Sequence, residues 1–202
     1  TLRALNVLRE VDLVAAEDTR HTGLLLKHYG IEKRLESYHD FNKERKAPVL
    51  IRELKSGRSV AVTSDAGTPG ILDPGYNLIN LAIKNNIVVT VIPGAAAFIN
   101  ALVLSGKPAH KFIFEGFLVN RKLARRNRLK ELAKSKCTII FYESCHRILA
   151  ALSDIESVFG DKEIVVAREI TKKFEEVKRA SAGEIAADFK ATKPRGEFVV
   201  II

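Results

Sequence analysis

The residues with the most chemistry in this 202-residue chain fall in three short segments. The first, Glu17-Asp18-Thr19-Arg20-His21-Thr22, sets two carboxylates, a guanidinium and an imidazole in one run. A carboxylate or an imidazole can take a proton from a weak nucleophile, and a guanidinium holds an anion. The second runs from Ser64 to Tyr76 and contains three glycines, two prolines and two aspartates, Asp65 and Asp73. Glycine lets a ligand approach the backbone, proline fixes the loop in advance, and Asp accepts from ribose or amine groups. The third, Pro93-Gly94-Ala95-Ala96-Ala97, offers unpaired N–H groups and room for a flat ligand at a helix start. A solvated turn explains any one of these alone. Together, at successive strand ends, they point to a binding site.

Charge gives a second lead. Of the formal net charge of +9, +6 lies in residues 108–202. Arg121, Lys122, Arg125, Arg126, Arg128, Lys130, Lys134 and Lys136 crowd one segment, opposed within it only by Glu131, a density that suits phosphate contacts. Arg20, Arg168 and Lys172 are further candidate anion-binding residues. Leu123, Leu129 and Leu132 are expected to form the buried face of that basic helix. Base reading by stacked aromatics is not indicated, because aromatics are only 7% of the chain and fall mostly in predicted strands. The histidines show no ligand spacing, and Cys137 and Cys145 form no C-x-x-C pattern, so neither a metal site nor a disulfide is expected. Reduced thiols suit a cytoplasmic protein. The G-x-G-x-x-G and G-x-x-x-x-G-K-[ST] fingerprints are absent. Hydrophobic residues at 47% and charged residues at 28% exclude a disordered chain. No apolar run approaches the roughly 20 residues a membrane span needs.

These segments need a frame, and hydrophobic periodicity supplies one. Residues 1–10 read as a helix, 11–16 as a buried strand, and a helix through Leu24, Leu25 and His28 stops at Gly30. A strand over 35–39 precedes a helix capped by Asn42 and interrupted by Pro48. The strand 59–63, an amphipathic helix with the apolar stripe Leu78, Ile79, Ala82 and Ile83, the strand 88–92 and a small-residue helix 95–105 complete a first series. Gly106-Lys107-Pro108 breaks the pattern, placing the expected domains at 1–107 and 108–202. The second series is strand 112–117, basic helix 121–135, strand 137–142, helix 146–159, strand 164–168, an edge strand 174–180, helix 182–190 and strand 197–202. The expected class is two α/β domains, the first with a mainly parallel sheet and the second with a mixed one. Ligands of open α/β sheets bind beyond the carboxyl ends of the strands, where the three segments fall.

The runs AEDTRHTGLLLKHYGI (16–31), SDAGTPGILDPGY (64–76), PGAAA (93–97), FYESCHR (141–147) and AREITKKFEE (167–176) resemble the tetrapyrrole methylase superfamily, in its ribosomal-RNA methyltransferase branch. The resemblance implies a two-domain enzyme, usually a homodimer, that uses S-adenosylmethionine to methylate the ribose 2′-hydroxyl of a cytidine in small-subunit (16S) ribosomal RNA. Carried over residue by residue, Asp65, Gly67 and Thr68 would line the cofactor with Ala96 and Ala97, and Tyr142 and Ala167 would complete its pocket. The base that takes the hydroxyl proton is expected among Glu17, Asp18, His21, Glu169 and Lys172, with Glu17, Asp18 and His21 first. Two motifs depart from the family: PGPSA reads PGAAA, which removes a hydroxyl at Ala96, and FYESPH reads FYESCH. Backbone groups are expected to preserve cofactor binding. The family's opening strand and Gly/Pro-rich loop have no counterpart here, and the chain has no Met, so it is expected to be a piece of a longer protein. Two other readings stay open: a sister methyltransferase acting on a tetrapyrrole or protein substrate, and a non-catalytic RNA-binding scaffold.

Overall fold

A computed structural model describes residues 1–202, which form two compact units, Thr1–Ala96 and Ala97–Ile202. In the first, the Thr1 hydroxyl caps α1 (Leu2–Glu10) by accepting from the Ala4 N–H. Then follow β1 (Leu13–Ala16), α2 (Thr19–His28), β2 (Arg34–Ser37), α3 (Lys43–Lys55), β3 (Val60–Thr63) and α4 (Tyr76–Lys84). The sheet order is β2-β1-β3, all parallel. Central β1 is buried throughout because both faces are covered. Leu13 and Ala15 pack with Leu50, Ile51, Leu78 and Ala82 on one face, and Val14 packs with Leu8, Val11, Leu26 and Ile31 on the other. This parallel sheet therefore delivers its strand ends, and the loops that follow them, to one edge.

The second unit holds α5 (Ala97–Ser105), β4 (Phe112–Phe117), α6 (Lys122–Leu132), β5 (Thr138–Ser144), α7 (Ile148–Phe159), β6 (Glu163–Arg168), β7 (Glu176–Ser181), α8 (Ala182–Thr192) and β8 (Glu197–Ile201). Its sheet runs β4-β5-β8-β6-β7, with β4 and β5 parallel and the other neighbours antiparallel. The alternating segment near 174–180 does lie at an antiparallel edge, as β7. Helices α6, α7 and α8 cover one sheet face through Leu129, Leu132, Leu152, Ile155, Ile185 and Phe189. α5 covers the other through Ala101 and Leu102 against Ile140, Val165 and Val199. The α/β class, with a parallel and then a mixed sheet, is thus observed. No helix is long and apolar enough to cross a membrane.

Four local expectations are corrected. Residues 88–92 pair with no strand, and Val88 and Val91 are exposed. α5 starts at Ala97 rather than 95, and it packs on β5, β6, β7 and β8, so it belongs with the residues that follow it. Asn42 stands at the N-cap position of α3 but its side chain turns backward, accepting from the His39 N–H and donating to the Ser37 carbonyl. Leu123 is 74% exposed, and Arg125 takes its place on the inner face of α6.

Candidate active site

At the carboxyl ends of β1 and β3 each polar residue of the first segment has a distinct task. Asp18 is the N-cap of α2 and accepts from the Arg20 N–H at 2.8 Å. Its carboxylate also grips the Arg20 guanidinium, with Nη2 to Oδ2 at 2.6 Å. Those hydrogen bonds hold the Asp18 carboxyl far below the ordinary carboxylate range. A carboxylate so stabilised in its charged form is a poor proton acceptor, so the expectation of Asp18 as a base gives way to a capping role. Glu17 and His21 instead reach across to the neighbouring loop: Glu17 Oε2 accepts from the Asp65 N–H at 3.0 Å, and His21 Nδ1 lies 3.3 Å from Asp65 Oδ2. Thr22, buried, meets the Thr63 hydroxyl at 3.1 Å and ties α2 to β3. The carboxylates of Asp18 and Asp65 and the His21 imidazole lie within 4.8 Å of one another.

The Ser64–Gly75 loop is folded on itself. Gly67 and Gly70 have left-handed φ of 70° and 86°, and a Cβ at Gly75 would stand 2.9 Å from the Gly70 nitrogen. Only glycine permits that approach. The Thr68 hydroxyl donates to the Ala95 carbonyl at 3.2 Å, joining this loop to the Pro93–Ala95 turn. Asp73 sits beneath Gly67, its Oδ2 3.5 Å from where a Gly67 Cβ would be. Partial burial, then the negative charge of Glu17, pushes its carboxyl up to about 6, with Asp65 adding to the effect. Glu17 and Asp73 form no ion pair and Asp65 pairs with the exposed His21 ring, so the three carboxylates form a cluster of like charge whose potential suits a cationic ligand. Sequence reasoning singled out Asp65 and passed over Asp73.

In the second unit, Ala97, Tyr142 and Ala167 share the sheet face that α5 covers. Ala167 is fully buried. The Tyr142 hydroxyl accepts from the Phe98 N–H, and its ring packs edge-on to Phe114 and at a tilt to Phe117. The basic segment divides. Arg125 is 4% exposed, with Nε donating to Asp154 Oδ2 at 2.8 Å and Nη1 to the Asn120 carbonyl. Arg126 donates to the other oxygen of buried Asp154 at 2.6 Å. The expectation that Arg125 binds phosphate is therefore corrected: its charge is neutralised inside the unit. Arg128 is paired with Glu115 and Glu131. Arg121 and Lys122 are exposed and form no ion pair. Lys172 is held by Glu169 and Glu197, whose hydrogen bonds raise its pKa and keep it charged, while Arg168 is tied to the Arg195 carbonyl and Glu176. Glu169 and Lys172 thus complete a local network rather than a proton relay.

The family model for Tetrapyrrole (Corrin/Porphyrin) Methylases matches residues 1–186. A protein of Escherichia coli O157:H7 named "Ribosomal RNA small subunit methyltransferase I" is 47% identical, over all of this chain and 72% of its own length. The protein of the same name in Thermotoga maritima is 45% identical over all of this chain and 90% of its own. Among solved structures, a cobalt precorrin-4 methyltransferase superposes with a TM-score of 0.72 at 17% identity, covering 100% of this chain and 87% of that one. A uroporphyrin-III C-methyltransferase from Thermus thermophilus, complexed with S-adenosyl homocysteine, reaches 0.63 at 17% identity over 99% and 90% of the two chains. With the sheets, loops and full-length similarity in agreement, the chain belongs to the tetrapyrrole methylase family of methyltransferases, in the branch that includes the proteins named ribosomal RNA small subunit methyltransferase I.

Proposed function

We propose that this chain transfers a methyl group from S-adenosylmethionine to the ribose 2′-hydroxyl of a cytidine in small-subunit (16S) ribosomal RNA. The observation that carries the reading is the carboxylate cluster of Glu17, Asp65 and Asp73, met among charged side chains by the exposed His21 ring at Asp65 and built into and against a loop whose fold depends on its glycines. S-adenosylmethionine is cationic at its sulfur and its amino group, so the residues present fit it. When bound, it supplies an electrophilic methyl group. Asp65, Gly67, Thr68 and Ala96 are the proposed binding residues of the first unit, and Ala97, Tyr142 and Ala167 those of the second. The choice of ribosomal RNA follows the names of the relatives, and the cytidine 2′-hydroxyl follows the sequence resemblance.

Glu17 orients the loop by accepting the Asp65 N–H, and Asp65 in turn can fix the His21 ring through Nδ1. With that nitrogen engaged, His21 Nε2 is the atom left to take the hydroxyl proton. Correct placement of the two reactants can supply several kcal/mol of the barrier, and a base adds about 10²–10⁴-fold. Arg20, Arg121 and Lys122 are the exposed cations assigned to phosphates. The working unit is a cytoplasmic homodimer. Mass-spectrometric mapping of ribose methylation in ribosomal RNA from cells lacking the protein tests the reading. One lost 2′-O-methylcytidine in the small subunit is expected; an unchanged map refutes it.

A further inference from the structure

Between β4 and α6 the chain presents an unusual surface. The pairing of β4 with β5 slips between Phe114 and Phe117, at Gly116, whose φ is +74°. Such a bulge re-aims the next side chain, and Phe117 emerges 53% exposed, its ring 5.7 Å from that of Tyr142. Val119, Arg121, Lys122 and Leu123 are exposed beyond it. Beneath this outward face the segment is anchored by its backbone. Buried Arg125 donates to the Asn120 carbonyl, and Arg147 donates to the Leu118 carbonyl. Arg125 is neutralised by Asp154, and Arg147 by Glu143, whose second carboxylate oxygen is buried without a partner. Burying two ion pairs costs solvation energy, and here they fix the path of one short exposed segment.

Resting on the ribosomal-RNA reading above, we propose that residues 117–123 form a platform for single-stranded RNA: the Phe117 ring stacks on an unpaired base, and Arg121 and Lys122 hold the flanking phosphates. A half-exposed ring packed against Tyr142 offers the apolar contact that any base accepts, and adjacent unpaired cations complement the backbone. Guanidinium groups tied to the Leu118 and Asn120 carbonyls hold the ring and the charges at a fixed spacing, which reduces the ordering cost of binding.

The chain contains no tryptophan, so Phe117→Trp reports stacking directly. Its emission should be quenched by a saturating single-stranded oligoribonucleotide, with methylation of ribosomal RNA retained. Phe117→Ala should weaken RNA affinity about 5- to 150-fold, and Arg121→Gln with Lys122→Gln should weaken it further, while S-adenosylmethionine affinity by calorimetry stays as in the parent. Unquenched emission together with unchanged affinity of Phe117→Ala overturns the platform. So does a lowered sedimentation coefficient for Phe117→Ala, which would assign the ring to a contact between copies of the chain. If ribosomal RNA methylation depends on the protein but tolerates Phe117→Ala, the platform alone falls. If no methylation depends on the protein, the platform and the ribosomal-RNA reading fall together.

Discussion

The molecule treats its charges in two opposite ways. In the first unit Glu17, Asp65 and Asp73 crowd together beside a loop with only the exposed His21 ring set against Asp65, and the Asp73 carboxyl is pushed up to about 6. In the second unit Asp154 receives two guanidinium groups and Glu143 receives a third, all within the fold. Burial is deeper in the second case, yet every charge there meets its opposite. A chain able to pair its ions so thoroughly around α6 and α7 has left Glu17 and Asp73 without an ion pair and Asp65 with an exposed imidazole. The paired set has a structural task, to hold a backbone, and the crowded set has a ligand to meet.

That contrast can be broken from either side. The largest effect is expected at Asp154: its replacement by Ala strands a buried guanidinium and should cost about 3–5 kcal/mol in chemical denaturation. Arg125→Met combined with Asp154→Leu should recover most of that loss, because a matched apolar pair leaves little buried charge behind. Next comes Asp65→Ala, which removes a charged partner worth about 1.5–3 kcal/mol and should weaken S-adenosylmethionine correspondingly in calorimetry, with stability little changed. Undiminished affinity would take Asp65 out of the site. Asp73→Asn should do the reverse on stability. The folded protein keeps the Asp73 proton up to about pH 6, whereas an unfolded Asp loses it near 3.8. That contribution to stability is present below about pH 4 and lost as pH rises toward 6. The Asn variant should therefore gain on the order of 1 kcal/mol above pH 6 and nothing below pH 4, while binding cofactor less well. The smallest effect is Thr68→Val: severing its link to Ala95 should cost about 0.5–1 kcal/mol of cofactor affinity.

Most of the frame was legible because burial imposes a period. The fully covered β1 and the edge strand β7 stand out by opposite patterns, continuously apolar and largely polar. Residues 88–92 carry the composition of a strand, but pairing is a property of neighbours that a local pattern does not contain. The site was half legible. Two segments at the ends of β1 and β3 announced it, and the cross-loop contacts of Glu17 and His21 with Asp65 show that they meet. The sorting within each segment was not visible. Asp18 and Glu17 are adjacent carboxylates, and only the helix start decides that one caps while the other reaches over. Arg125 and Arg121 look alike in sequence, and only the phase of α6 against Asp154 sends one inward. Asp73 was hidden because its burial comes from the loop's own closure.

The open carboxylate cluster has a consequence for ionic strength. It is a small negative island in a chain whose net charge is +9. A polyanion responds to the broad positive field, which physiological salt screens beyond about 8 Å. A small cation seated among those acids responds to contacts shorter than that. Raising the salt should therefore loosen the large substrate while the small one stays in place, so the two binding steps can be separated by salt alone.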